Sequence, residues 1–394
     1  VDAATSPSIV ADLYTRSLGV LESVRSRGAT EQPAIRNAPR FPISRAAELV
    51  GRTSAAIRDA EKEGRLPTVE RTASGRRVAY TLAEINQMRE VFGTQPWRTA
   101  DDPLAVIAVQ NFKGGVGKST VASHLAQYLA IKGYRVCLID CDSQGSSTAL
   151  FGYVPDLDIQ EADTLYRFFR SPEMASLAYA VRETHWDGLY LVPANLHLYS
   201  AEYELAARVA RAEPNLLNRL AEGIVSIGDH FDVVILDPPP ALGTISLSVM
   251  RAANALLVPI PPTLIDFAST TSFFAMLHET IETLAERQLS IELRWLRLLV
   301  TRADEQKSMQ RELIGLMRSL FGDLLLRTVL KDSAEIDNAS ARLMTVYELE
   351  GPVTSRETYQ RCLTYLNAVN AEIETQIRLT WPSQVVRLRA EGVL

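Results

Sequence analysis

The residues best suited to chemistry lie together in Gln110-Asn111-Phe112-Lys113-Gly114-Gly115-Val116-Gly117-Lys118-Ser119-Thr120. Glycines at this density let successive backbone N–H groups turn towards one anion, and a helix that starts here adds its positive end. The pattern is that of a phosphate-binding loop, with Lys113, Gly114, Gly115, Val116, Gly117, Lys118, Ser119 and Thr120 as the nucleotide-binding set. Lys118 is placed to reach the terminal phosphates and the Ser119 hydroxyl to sit on Mg²⁺. The loop departs from the usual pattern at its start, where Phe112 replaces the first glycine and a second lysine, Lys113, follows it.

Two further clusters carry carboxylates. One apolar run, Val136 to Ile139, ends in Asp140-Cys141-Asp142-Ser143-Gln144; another, Val233 to Leu236, ends in Asp237-Pro238-Pro239-Pro240. Phosphoryl transfer needs positioning, a metal and charge neutralisation more than covalent chemistry. Asp237 is therefore expected to hold Mg²⁺ through water, with Ser119 and Asp140 completing the metal set. Asp142 is expected to orient the attacking water. Lys113 projects from the loop start, where its charge could reach the phosphates of a facing subunit and act like an arginine finger on dimerisation. Lys113, Lys118 and Asp142 are thus the expected catalytic residues.

Elements must deliver these groups. Leu104–Val109 precedes the loop as a strand and Val121–Ile131 follows it as a helix. Leu189–Pro193, Leu256–Ile260 and Leu296–Thr301 read as further strands. Strands alternating with helices predict an α/β fold with a parallel sheet, whose ligands bind at the strand C-termini. The 394 residues are enough for two or three domains, and the 47% hydrophobic and 22% charged composition is that of an ordinary globular chain. No apolar stretch reaches the length of a membrane span, and no secretory signal opens the chain. Cys137, Cys141 and Cys362 form no Cys-x-x-Cys pair or disulfide framework, as expected in a reducing cytosol.

The N-terminal part differs. Residues 1–100 hold 15 Lys+Arg against 11 Asp+Glu, net +4, which leaves 26 against 36, net −10, for the remainder. Nucleic-acid contact is therefore expected there first. Residues 1–40 read as a helix, with Ile9, Leu13, Val20, Leu21 and Val24 on one side, and a proline-containing linker. This arm would bury its stripe against a second copy or against its own chain. In 41–93, Ser44 is expected to cap one helix, Gly51-Arg52-Thr53 to turn, and Ser54 to cap a second helix ending at Gly64. A basic hairpin and a third helix from Thr81 follow. The order resembles a MerR-like winged helix-turn-helix. That reading places Thr53, Ser54, Ala55 and Arg58 nearest the bases and Arg76 and Arg77 of the wing on phosphates. Gly93–Pro103 is read as a polar linker, and 104–394 as the nucleotide-binding domain.

Together, Lys113-Gly-Gly-Val-Gly-Lys118-Ser-Thr, Ile139-Asp140-x-Asp142-x-Gln144, Val234-Ile235-Leu236-Asp237-Pro-Pro and Pro259-Ile-Pro-Pro-Thr-Leu-Ile-Asp266-Phe resemble the deviant Walker A ATPases of the ParA/MinD superfamily. The helix-turn-helix ahead of them is similar to that of the long ParA proteins of plasmid partition. Met317-Arg318-Ser319-Leu320-Phe321-Gly322-Asp323 is similar to the RepA partition proteins of repABC plasmids. The resemblance runs from about residue 40 to 375. It implies ATP and Mg²⁺ as cofactors, an ATP-dependent homodimer, and non-specific DNA binding. It further implies stimulation by a ParB-type centromere-binding protein, repression of its own operon, and a cytoplasmic, nucleoid-associated protein without a membrane anchor.

Some features depart from the pattern. Ser143 stands where these proteins carry proline, and Thr301-Arg302-Ala303-Asp304 has arginine where a guanine-reading motif has lysine. Residues 302–361 hold nine Lys+Arg and ten Asp+Glu, so a DNA surface there, with Lys331, Arg342 and Arg356 as candidates, must be assembled in space. Three alternatives are weighed. A MinD-like membrane ATPase would need more than the short apolar stretch at 383–394, and a nitrogenase-type iron protein would need paired cluster cysteines. A nucleotide-gated repressor would confine DNA binding to 41–92.

Overall fold

The computed structural model describes residues 6–24, 39–75, 77–211, 213, 215–286 and 289–394. Among the described residues nine strands form two sheets. Strands β1 (Arg40–Phe41) and β2 (Tyr80–Thr81) make a small antiparallel pair. The other seven are β3 (Ala105–Val109), β4 (Val136–Asp140), β5 (Arg182–Glu183), β6 (Leu189–Val192), β7 (Val233–Asp237), β8 (Ala255–Ile260) and β9 (Trp295–Val300). Their order is β5-β6-β4-β7-β3-β8-β9. All are parallel except β5, a two-residue edge strand that the apolar pattern did not signal.

Strands β3, β4, β7 and β8 are buried along their whole length, as continuous Val/Ile/Leu runs in a two-sided parallel sheet must be. Alternation divides the side chains between two cores. Val106 and Ala108 face one, with Val234, Leu236 and Phe273. Ala105, Ile107 and Val109 face the other, with Leu125, Leu129 and Ile373. The second core is built on the helix that follows the glycine loop. That helix, Lys118–Lys132, lies under Arg356–Leu379, and both are covered by apolar contacts.

In the N-terminal part, helix α1 (Ser6–Val24) presents Ile9, Val10, Leu13, Tyr14 and Val20 to solvent. The expected linker, Gln32 to Pro42, lies outside the described residues up to 38; its end forms β1 and the residue before the next helix. Helix α2 (Ile43–Val50) ends at Gly51 in the left-handed region, φ 68°, where glycine carries no Cβ penalty. Helix α3 (Ser54–Lys62) follows at once, and α4 (Leu82–Phe92) completes the unit with a Thr81/Glu84 capping box. Ala47, Val50 and Ile57 form its core with Leu66, Ile85 and Met88. Two expected caps are corrected by one or two residues. Thr53, not Ser54, has the extended backbone that lets its hydroxyl accept the Ala56 N–H at 3.1 Å, and Pro42 rather than Ser44 precedes α2.

The stretch read as a polar linker is fastened to the α/β body through Trp97, Arg98 and Asp102. Trp97 Nε1 donates to Gly133 O at 3.0 Å, and Arg98 donates to Phe231 O and Gly228 O, both at 2.8 Å. Asp102 receives the Ser383 N–H. Arg89 of α4 is 1% exposed and crosses the junction, donating to Leu49 O at the end of α2 and to Ile131 O at 2.6 Å. At Gly133 a Cβ would lie 2.7 Å from the Arg89 guanidinium, so the glycine makes room for that crossing. Trp381 and Leu388 bury the C-terminal segment against the same body. Among the described residues no helix is long and apolar enough to cross a membrane.

Candidate active site and nucleic-acid interface

The glycine loop leaves β3 at its C-terminal end and enters the long helix, now α5 (Lys118–Lys132), through Gly117 at φ 95°. Gly115, at φ 77°, makes the other left-handed turn. Three outside groups hold the loop. Asn111 Nδ2 donates to Pro259 O at 2.9 Å, Thr301 Oγ1 to Val116 O at 2.8 Å, and Arg302 Nη1 to Gly115 O at 3.2 Å. The Thr-Arg-Ala-Asp segment after β9 thus braces the loop from behind.

The loop opens on a cleft of about 580 Å³, which Lys118, Ser119, Asp142, Pro240 and Arg302 help to line. Lys118 is 6% exposed and donates through Nζ to Lys113 O at 3.1 Å. Burial lowers its pKa, while the charges of Asp237 and Asp142 oppose that shift. It is a folded-back cation, poised for an anion.

The carboxylates divide the work differently from expectation. Asp237, at the end of β7, is 0% exposed and takes the Ser147 hydroxyl at 2.7 Å on Oδ2. Its Oδ1 is buried without a hydrogen-bond partner, and the nearby Ser119 hydroxyl favours the charged form of the carboxylate. Burial nevertheless pushes its pKa up to about 6. An unsatisfied buried carboxylate oxygen next to a hydroxyl fits a magnesium ion that keeps its other positions for water and phosphate. Among the described residues no group of three His, Cys, Asp or Glu forms a complete metal cage, so phosphate oxygens would have to finish the shell.

Asp140, expected in that shell, lies on β4 across from Asp237, and its oxygens are bonded within its own loop. Its Oδ2 accepts both the N–H and the hydroxyl of Thr148 at 2.8 Å, and its Oδ1 accepts the Asp142 N–H at 3.1 Å. Burial and the charge of Asp237 raise its pKa well above the carboxylate range. Asp140 therefore organises the loop that carries Asp142. Asp142 itself takes the Gln144 N–H at 3.0 Å and lines the cleft as expected.

Lys113 does not project freely. Its Nζ pairs at 2.5 Å with Asp266 Oδ1, at the start of the helix Leu264–Glu286. Asp266 lay in the segment quoted for the family resemblance, but no spacing rule ties it to Lys113.

Of the DNA-facing candidates, Thr53, Ala55 and Arg58 are exposed and Ser54 half-buried at the start of α3. Arg76 lies outside the described residues. Arg77 is committed internally, to Glu61 of α3 and to the Tyr80 hydroxyl at 2.6 Å. The buried Tyr80 donates to Glu61 at 2.7 Å, and burial with that carboxylate raises its pKa to about 12. Arg77, expected on a phosphate, thus ties the segment before β2 to α3. Lys331 is likewise paired with Glu305 and lies over the Tyr365 ring, whereas Arg342 and Arg356 are exposed.

A parallel sheet with a glycine loop at the C-terminal end of a central strand, its lysine in a cleft and a carboxylate at the neighbouring strand end, defines a P-loop nucleoside triphosphatase. Residues 104–292 match the family described as AAA domain. SopA of Escherichia coli is 38% identical over 318 residues, covering 78% of this chain and 80% of that protein. A protein of Sinorhizobium fredii provisionally named replication protein A is 33% identical over 359 residues, 88% of each chain. A solved structure of a partition protein superposes with a TM-score of 0.65 at 18% identity, over 95% of this chain and 99% of that one. The chain belongs to the ParA/MinD-type partition ATPases.

Proposed function

We propose that this protein hydrolyses ATP in an ATP-dependent homodimer, binds DNA non-specifically in that state, and segregates DNA copies with a ParB-type partner. We further assign to α3 the specific binding of its own operator, which makes the protein an autorepressor in the cytoplasm, on the nucleoid. The observation that carries this reading is the convergence of Lys118, Ser119 and Asp142 on one cleft, with Asp237 buried at the end of the neighbouring strand, in a body fastened through Arg89 to the α2–α4 unit. ParA-type relatives over most of the chain supply the partition role.

The residues divide the reaction as follows. Backbone N–H groups of 114–120 and the α5 terminus receive the phosphates, and Lys118 turns from Lys113 O to them. Asp142 orients the attacking water, and Asp140 holds Asp142 in place through its backbone. Ser119 and Asp237 would hold magnesium, which neutralises charge on the phosphates when bound. Lys113 completes the site of a facing copy once it leaves Asp266.

Turnover of ATP with and without DNA tests the reading. Wild-type protein should release phosphate, Lys118→Ala should not bind nucleotide, and Asp142→Ala should dimerise with ATP yet turn over slowly. Normal turnover by Asp142→Ala would remove that residue from its role. A nucleotide-gated repressor remains the second reading, favoured by the pairing of Lys331 and Arg302 with Glu305 and Asp332, which leaves less free positive charge outside the helix-turn-helix.

A further inference from the structure

The loop after Asp237 has a second anchor that the reaction scheme above does not use. It runs from Pro238 to Gly243, places Pro240 on the nucleotide cleft, and enters the helix Thr244–Ala252. The first N–H groups of that helix need partners, because no earlier turn supplies carbonyls and Gly243 has no capping side chain. They find Glu202, on a different helix, His197–Ala210. One carboxylate oxygen of Glu202 accepts the Thr244 N–H and the other accepts the Ile245 N–H at 3.0 Å. An anion at a helix N-terminus is favoured by the macrodipole as well as by the bonds.

Two further observations show that this clasp sets the loop rather than decorating it. A Cβ on Gly243 would overlap the Glu202 carboxylate, so any side chain there would displace the carboxylate from the helix start. The Ser246 hydroxyl donates to Ala241 O at 2.5 Å and closes the loop on the helix it enters. The loop is therefore fixed at its start by the Ser147 bond to Asp237 and at its exit by Glu202. The helix carrying Glu202 is itself seated through Leu198, Ala201 and Leu205 in the main core.

We propose that Glu202 is a positioning residue for ATP turnover, fixing the exit of the Asp237 loop and so the wall of the nucleotide cleft at Pro240. The inference rests on the ATPase reading. Glu202 touches no phosphate; it acts through the backbone of residues 241–245.

Steady-state ATPase kinetics on the full chain test it, with wild type, Glu202→Ala, Glu202→Gln and Gly243→Ala compared at matched folding by thermal melt. Loss of the clasp should lower kcat roughly tenfold while KM for ATP stays within about twofold, since phosphate binding belongs to the glycine loop. Glu202→Gln keeps one acceptor oxygen and should fall between wild type and Glu202→Ala. Gly243→Ala, which pushes the carboxylate away from the other side, should reproduce the kcat loss. If wild type turns over and Glu202→Ala matches it in both constants, the inference is overturned while the ATPase reading stands. A kcat loss that tracks the melting temperature, with no graded effect in Glu202→Gln, also overturns it in favour of a purely structural cap. Absence of turnover in wild type overturns the ATPase reading itself.

Discussion

Replacing Asp237 with asparagine should stabilise the nucleotide-free protein while abolishing its response to magnesium nucleotide. Asp237 is fully buried, and its pKa of about 6 in the fold stands above the ordinary aspartate value of 3.8. A raised carboxylate pKa means that the folded state holds the proton more tightly than the unfolded state. Stability therefore falls as pH rises from about 4 to about 6 and stays at the lower level above that. At about 1.4 kcal/mol for each pH unit between the two values, the charged side chain costs the fold at most about 3 kcal/mol at pH 7.5. Asparagine removes that charge and can still accept the Ser147 hydroxyl. Urea denaturation without nucleotide should show Asp237→Asn more stable than wild type by about 1–3 kcal/mol at pH 7.5, with the advantage gone by pH 4. Adding ATP and Mg²⁺ should stabilise wild type strongly and the variant little, because a ligand stabilises only by binding the fold. Equal or lower stability of Asp237→Asn at pH 7.5, or an advantage unchanged at pH 4, would refute the reasoning.

Other residues give equally direct outcomes. Asp266→Ala frees Lys113 from its internal pair and should raise ATP-dependent dimerisation measured by light scattering; weaker dimerisation would show that Asp266 serves the interface instead. Arg89→Met leaves Ile131 O and Leu49 O without their buried donor and should cost about 2–4 kcal/mol in denaturation, with faster hydrogen exchange across α2 and α4. A loss below about 0.5 kcal/mol would mean the junction does not depend on it. Arg58→Ala should weaken operator binding by about 1–3 kcal/mol with basal ATPase intact. Arg77→Ala should lower stability of the helix-turn-helix instead, because its partners are Glu61 and Tyr80; an unchanged melt with a reduced salt slope on DNA would restore it to the phosphate contacts.

What could be read from the sequence was local. The glycine loop, the strands ending at Asp140 and Asp237, and the turn at Gly51 each announce themselves within a dozen residues, because burial pattern and backbone conformation are set there. Pairings across the chain were not legible. Lys113 meets Asp266 and Thr244 meets Glu202 only because the sheet order β6-β4-β7-β3-β8 brings the segments after these strands together, and no periodicity encodes that order. Asp140 differs, because its partners are local: its position at a strand end suggests a ligand, and only the folded loop shows its oxygens bonded to Thr148 and Asp142. The stretch from Gly93 to Pro103 looked like a linker by composition, yet Trp97, Arg98 and Asp102 all find partners on the α/β body. Charge alone suggests Arg77 for a phosphate, whereas Glu61, the last residue but one of α3, is the anion it pairs with.

The central claim is that nucleotide state governs DNA binding in a protein that also recognises one operator. The most direct measurement compares binding to random-sequence DNA and to DNA upstream of its own gene with ATP, with ADP and without nucleotide, at one fixed salt concentration. The account predicts binding to random DNA only with ATP, together with a tighter complex on the upstream sequence. Random DNA ignored in every nucleotide state would contradict the partition role and leave a repressor gated by nucleotide.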